Sequence, residues 1–230
     1  MRLRQEQNRN LLSIVIPALN AAALLPATLQ ALAAAEEIVV ADGGSTDQTR
    51  AVAQALGAHL IATPRGRGVQ LAQGVAAARG EWLLLLHADT RLAPGWHAAA
   101  QRFMADPANR SRAGFFRFAL DAEHRLARRL ERVVAWRSRA LGLPYGDQGL
   151  LIARDFLAAI GGVRPLPLME DVDLVRRIGR HRLVALDADA VTSDARWRRE
   201  GWRRRSARNL ACLGLYFAGA PPRLIARLYD

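Results

Sequence analysis

An α/β fold, with a mostly parallel sheet flanked by helices, is what this 230-residue chain predicts. Three observations carry that expectation. Four short apolar segments alternate with three helix-like segments over the first ninety residues. Each apolar segment ends on polar or turn-forming residues. The composition is 51% hydrophobic with a single cysteine, which suits a packed core without a disulfide framework.

The elements follow in order. Leu11 to Ala18 (LLSIVIPA) is apolar and β-branched, a strand ended near Pro17. Asn20 and Pro26 flank the entry to an alanine-rich helix that runs to about Ala35. Glu37 to Ala41 is a second strand, leading into Asp42-Gly43-Gly44-Ser45-Thr46-Asp47, where Ser45 or Thr46 can cap the next helix and Gly57 closes it. Ala58 to Ala62 is a third strand, followed by Arg65-Gly66-Arg67-Gly68 and a helix from Val69 to Arg79 closed by Gly80. The stretch EWLLLLHADT, Glu81 to Thr90, is the fourth: a buried strand that breaks off in His87, Ala88, Asp89 and Thr90. This alternation predicts parallel strands joined by right-handed crossovers.

The second half is less regular. Helices are expected over Pro94–Met104, Glu123–Leu141, Arg154–Ile160, Asp171–Arg180, Trp202–Phe217 and Pro222–Tyr229. Strands are expected over Gly114–Leu120, Leu150–Ala153 and Leu183–Leu186, with a Gly146-Asp147-Gln148-Gly149 loop. The whole chain reads as one domain, residues 1–230, in three stretches: a regular 1–90, a less regular 91–195, and basic C-terminal helices over 196–230.

Net charge is +12, and all 33 basic residues are arginine. Such a balance points to an anionic partner: phosphates, nucleic acid or a membrane surface. Much of it falls in Arg125–Arg139 and Arg196–Arg208. No common nucleic-acid-binding signature accompanies it, so no nucleic-acid partner is expected. The polar first ten residues lack the apolar centre of a secretory leader, and Leu210–Ala220 is too short to span a bilayer. With the lone cysteine, these features set the expected location as cytoplasmic.

If the four strands are parallel, their tips share one edge, where open α/β sheets bind ligands. Asp42 can accept a hydrogen bond from a base or a ribose hydroxyl. Arg65 or Arg67 can meet a diphosphate with parallel donors. Asp89 can ligate a metal that bridges diphosphate oxygens. Each tip also has a plainer reading as a turn or cap; four coincident tips favour a shared site.

The ordered set IVIPALN (Ile14–Asn20), VVADGGSTDQT (Val39–Thr49), RGRGVQLAQG (Arg65–Gly74), LLLLHADT (Leu83–Thr90), YGDQGL (Tyr145–Leu150) and MEDVDL (Met169–Leu174) resembles family 2 glycosyltransferases of the GT-A fold. HADT, with RGRG before it and GDQG after it, is similar to a bacterial subgroup described as radical-SAM-associated and linked to arsenosugar biosynthesis. The resemblance implies an inverting sugar transfer from a nucleoside-diphosphate donor with Mg²⁺ or Mn²⁺, residues 1–90 forming the nucleotide-binding half of a single GT-A domain and 91–195 its acceptor-side half. It implies that Pro17, Ala18 and Asn20 line the base pocket with Asp42 and Gly43. It sets Arg65 and Gly68 near ribose or phosphates, with His87, Ala88 and Asp89 at the diphosphate and the metal. The chain departs from the family pattern at His87, which stands where the first acid of Asp-x-Asp is common, and at Ala21. Neutral imidazole suits a transition metal better than Mg²⁺, so metal identity stays open.

On the acceptor side, inverting transfer requires a general base. The resemblance implies Asp171 for that role, with Glu170 as alternative; the plain reading is an acidic first turn of a helix. Asp147 and Gln148 are expected at the acceptor or the donor sugar, and Asp194 and Arg196 at a further phosphate or metal contact. The Arg-Trp-rich C-terminal end admits peripheral membrane contact, nucleic-acid binding, or plain packing. Plain packing would seat Leu210, Leu213, Leu215 and Phe217 on the sheet or on a second subunit of a homo-oligomer. A nucleotidyltransferase is the nearest rival function, but it calls for a basic Gly-rich loop after the first strand. A dinucleotide oxidoreductase is weaker, because Gly66-x-Gly68 lacks its third glycine and follows the third strand.

Overall fold

The structure is a computed structural model that describes residues 11–229; the polar first ten residues, read above as carrying no leader, lie outside the described residues. One eight-stranded mixed sheet runs in the order β3-β2-β1-β4-β7-β6-β8-β5. Its strands are β1 Leu12–Ala18, β2 Glu37–Asp42, β3 His59–Ala62, β4 Trp82–Leu85, β5 Thr90–Leu92, β6 Ala113–Leu120, β7 Leu150–Ala153 and β8 Leu183–Thr192. The first four pair in parallel: Ala18 lies opposite Asp42, Asp42 opposite Ala62, and Val15 opposite Leu85. Beyond β4 the pairing is antiparallel at β4–β7, β7–β6 and β8–β5, and parallel at β6–β8.

Ten α-helices accompany the strands among the described residues: α1 Leu25–Ala31, α2 Thr49–Ala55, α3 Arg67–Ala77, α4 Trp96–Ala105, α5 Arg125–Ala140, α6 Arg154–Ala159, α7 Glu170–Ile178, α8 Ala195–Glu200, α9 Trp202–Phe217 and α10 Pro222–Tyr229. Helices on both faces explain why β1 and β4 are buried along their whole length and read as unbroken apolar runs. The edge strand β3 is exposed at both ends. Helix α3 packs closely on β1 because Gly74 has no side chain: a Cβ there would lie 2.3 Å from Val15 Cγ1.

The expected β-α-β-α-β-α-β order is present, with three corrections. Helix α3 runs from Arg67 to Ala77, not from Val69 to Arg79, and Gly80, expected to close it, instead donates its N–H to Ser13 Oγ at 2.7 Å on β1. The three-residue strand β5 had no sequence pattern to announce it, and it crosses to the far edge to pair with β8. Strand β8 extends to Thr192, well past the expected Leu186. The C-terminal helices dock through Cys212 and Ile225 onto Leu168. Leu213 also packs against the main core, but Leu210, Leu215 and Phe217 are exposed and do not pack on the sheet, one of the two seats expected for them. The helix was assigned one apolar face, whereas its buried side takes Arg205 and Cys212.

Candidate functional site

The four parallel strand tips meet at one edge. Gly43 N–H donates to Ala18 O at 2.9 Å, Thr63 N–H to Asp42 O at 2.9 Å, and Leu86 N–H to Val15 O at 3.0 Å. Loops 20–22 and 45–49 are stitched together beside them. Asn20 Oδ1 accepts from Thr46 N–H at 2.9 Å, Ser45 Oγ from Asn20 N–H at 2.9 Å, and Thr49 Oγ1 from Ala21 N–H at 2.7 Å. Asn20 itself adopts a left-handed φ of 48°, which asparagine tolerates better than most residues.

A cavity of about 530 Å³ opens at this edge. The first tip gives it Pro17, Ala18 and Asn20; the third gives Arg65, Gly66 and Arg67; the fourth gives His87, Ala88 and Asp89. Pro167, Leu168, Arg196 and Tyr229 come from later in the chain. A smaller cavity of about 110 Å³ shares Arg67, His87, Asp89, Leu168, Arg196 and Tyr229 with it. The smaller one adds Tyr145, Asp147, Asp171, Thr192 and side chains of α9. A crease of about 600 Å³ lies at the opposite end of the sheet, by Glu37 and His59. It is larger, but of its two acids, Glu36 and Glu37, the buried one, Glu37, is already engaged by Ser13 and by Arg79, with Arg79 Nε at 2.7 Å. The carboxyl edge instead gathers Arg65, Arg67, His87, Asp89 and Arg196 around one cavity.

Some expected residues face elsewhere. Asp42 is buried, and both of its carboxylate oxygens accept from Ser45 N–H at 3.2 Å, so it braces its own turn beside the cavity. Gly43 packs against the Gln70 amide. Gly68 is buried under residues 164–166, where a Cβ would lie 2.6 Å from Arg164 O and Leu166 O; it permits a close backbone contact and does not line either cavity. Gln148 is likewise internal. Its Oε1 accepts from Ser138 Oγ at 2.9 Å and its Nε2 donates to Phe116 O at 3.0 Å, which leaves its amide engaged within the protein. Asp194 is buried and pairs with Arg198 at 3.0 Å, while its neighbour Arg196 lines both cavities.

Two residues gain weight. Arg65 lines only the cavity of about 530 Å³, whereas Arg67 reaches both, and the Arg67 guanidinium pairs with Glu170. Gln70, three residues on, donates to Ala18 O at 2.7 Å and Ala41 O at 2.8 Å, tying the tips of β1 and β2. Their i,i+3 spacing puts both on one face of the first turns of α3. That spacing was readable in RGRGVQ once the helix start was moved back to Arg67.

The acids form a graded set. Asp171 accepts from Gly146 N–H at 3.0 Å and Val172 N–H at 2.8 Å. Burial pushes its pKa up, but Arg67, these N–H groups and His87 outweigh it and hold the carboxyl below the usual range. Burial pushes Glu170 up to about 7, against the pull of Arg67. Asp147 rises to about 6 for the same reason, with Arg137 opposing. Burial and then Arg67 depress His87 to about 4, so its imidazole is neutral. For Arg67, burial works against the charge, yet Glu170 and Asp171 raise its pKa above the ordinary value. Gly146 makes room for His87: a Cβ there would lie 2.3 Å from His87 Nε2.

Among the described residues, His87, Glu170 and Asp171 have metal-ligand spacing, with one donor atom from each all within 4.8 Å of one another. Asp89 is not in that group, although it was the expected partner of His87. The Arg67 guanidinium already lies against Glu170, and Asp171 is held by two N–H groups, so a cation there would meet a resident one. Asp89, half-buried and lining both cavities, suits a cation that phosphates share.

A mixed sheet of this order flanked by helices, with its cavity at the carboxyl edge of the parallel half, defines the GT-A class. The chain belongs to glycosyl transferase family 2, whose model matches residues 13–154. It is 44% identical over 91 residues to a PGL/p-HBAD biosynthesis glycosyltransferase of Mycobacterium bovis, which covers 35% of this chain and 36% of that relative. The match thus spans about a third of that relative's length. Among solved structures, mannosyl-3-phosphoglycerate synthase from Rubrobacter xylanophilus aligns with a TM-score of 0.61 at 17% identity, covering 95% of this chain and 78% of that one. Glucosyl-3-phosphoglycerate synthase from Mycobacterium tuberculosis, in complex with Mn²⁺ and UDP-glucose, aligns with a TM-score of 0.57 at 18% identity, covering 84% and 72%. At such identities the likeness is one of fold.

Proposed function

We propose that this chain transfers a sugar from a nucleoside-diphosphate donor to an acceptor hydroxyl with inversion at the anomeric carbon. One observation carries the reading: Arg65, Arg67, Arg196 and Asp89 converge on a cavity that adjoins the Glu170–Asp171 pair. The three arginines bind and orient the diphosphate through charge-assisted hydrogen bonds. Pro17, Ala18 and Asn20 flank the base, on a floor kept flat by Gly43 and braced by Asp42. Asp89 would hold a divalent ion, with neutral His87 favouring Mn²⁺ over Mg²⁺ as a second ligand. Such an ion supplies charge neutralisation on the leaving diphosphate.

In the transfer step the acceptor oxygen bonds to the anomeric carbon as the bond to the diphosphate breaks. The hydroxyl proton passes to Asp171, whose depressed pKa keeps it ionised. Glu170 steadies Arg67, and Asp147 contacts the incoming acceptor or the donor sugar. The HADT, RGRG and GDQG segments underlie the proposed membership in the radical-SAM-associated subgroup.

A thermal-shift screen of UDP-, GDP- and dTDP-sugars, with and without Mn²⁺, tests this reading. A ligand at a hundred times its Kd adds about 2.7 kcal/mol, a rise of several degrees. No shift with any donor at saturation would sink it.

A further inference from the structure

The C-terminal helices have two unlike faces. The inner face closes the site, with Arg205, Cys212 and Ile225 buried and Tyr229 lining both cavities. The outer face carries large apolar side chains in the open: Leu210 is 70% exposed, Phe217 50%, Leu224 53% and Leu228 60%. Leu210 and Phe217 are two turns apart on α9, and Leu224 and Leu228 one turn apart on α10, so each pair shares a stripe. Arg203, Arg204, Arg223 and Arg227 are exposed among them. Residues 201–230 contain six arginines and a single acid, Asp230. The adjoining acid, Glu200, is already engaged by Arg205 and Arg208.

Three kinds of partner could cover such a face, and its chemistry separates them. Nucleic acid would satisfy the arginines but leave the leucines and the phenylalanine in water. A second copy would bury the apolar side chains, but a two-fold contact would set arginine against arginine with one acid per copy, Asp230, to offset them. An anionic bilayer meets both demands, because its headgroups take the guanidinium groups and its acyl boundary takes the apolar side chains. No helix among the described residues is long and apolar enough to cross a membrane, so contact through this face is interfacial. We propose that the outer face of α9 and α10 docks on an anionic lipid bilayer. Leu210, Phe217, Leu224 and Leu228 enter the headgroup–acyl boundary, and Arg203, Arg204, Arg223 and Arg227 contact the headgroups. The inner faces of the same helices line the cavities, so docking sets the site beside the lipid surface. This inference does not depend on the sugar-transfer reading.

Co-sedimentation of the full chain with phosphatidylcholine vesicles, with and without phosphatidylglycerol, tests it at low and high salt. Binding to the anionic vesicles should exceed binding to the neutral ones by about tenfold at low salt and collapse at high salt. Two combined variants report separately. One is Leu210→Ser, Phe217→Ser, Leu224→Ser and Leu228→Ser; the other is Arg203→Gln, Arg204→Gln, Arg223→Gln and Arg227→Gln. Each should lower anionic-vesicle binding about tenfold while leaving the thermal midpoint and any nucleotide-induced shift in place. Equal binding to both vesicle types overturns the proposal. So does a self-association that the serine variant abolishes in a chain that ignores vesicles. Oligonucleotide binding lost only in the glutamine variant, again without vesicle binding, overturns it as well.

Discussion

Replacing Gln70 by alanine removes the two hydrogen bonds that join the tips of β1 and β2 at the donor edge. The Gln70 side chain is buried, and its Nε2 donates to Ala18 O at 2.7 Å and to Ala41 O at 2.8 Å. Ala18 O keeps a second donor, Gly43 N–H at 2.9 Å, so that carbonyl is not orphaned. Two net hydrogen bonds at about 1 kcal/mol each give about 2 kcal/mol. The void left beside Gly43 adds about 1 kcal/mol more. For a chain of this size the sum of about 3 kcal/mol lowers the thermal midpoint by about 6–12 °C. Gln70→Glu sharpens the test, because a carboxylate has no hydrogen to offer and would face two carbonyl oxygens. It should be less stable than Gln70→Ala at neutral pH and recover as the pH falls. Thermal and urea unfolding of the three proteins measures this. A midpoint for Gln70→Ala within about 2 °C of the parent, or a Gln70→Glu protein as stable as the parent at pH 7, would refute the reasoning.

Three further outcomes are expected. Gly68→Ala drives a Cβ to 2.6 Å from Arg164 O and Leu166 O, and it should cost about 1–3 kcal/mol in urea unfolding. Asp171→Asn should abolish turnover while donor affinity survives. An amide has one acceptor for two N–H groups, so the same change should also cost about 2 kcal/mol of stability, and full turnover would move the base to Glu170. Burial raises Asp147 to about 6 in the folded protein from its ordinary value of 3.8. The folded state therefore binds more protons than the unfolded state between those values, and stability falls as pH rises through the window. The bound is about 3 kcal/mol. Denaturant curves at pH 4 and pH 7 should show a smaller loss for Asp147→Asn than for the parent; an equal loss would remove Asp147 as its source.

The parallel half of the fold was legible because each strand there is buried on both faces and so reads as an apolar run with an abrupt end. Strand β5 was not, since Thr90-Arg91-Leu92 is too short to carry a period and its pairing with β8 is set by distant residues. At the site, Pro17, Ala18, Asn20, Arg65, His87, Ala88 and Asp89 were named from strand tips and resemblance, and all seven line the larger cavity. Gln148 and Gly68 were also named, yet one is consumed by internal hydrogen bonds and the other by a backbone contact. A motif marks which residues matter in a loop but not which way their side chains turn. Arg67 was left as an alternative to Arg65 because its ion pair with Glu170 joins residues a hundred positions apart.

Helix α3 is gripped at both ends, and that has a mechanical consequence. At its tail the Arg154 guanidinium donates to Val75 O at 3.0 Å, Ala78 O at 2.7 Å and Gly80 O at 2.7 Å. At its head Arg67 leans on Glu170, and midway Gly74 lets it bed against Val15. A rod braced this way has little slack. A tug on the Arg67 guanidinium would pass straight down the rod to the junction of β7 and α6, and sideways into the first turn of α7. Residues 67–77 thus brace stretches of chain that lie far apart in sequence, Arg154 at one end and Glu170 at the other.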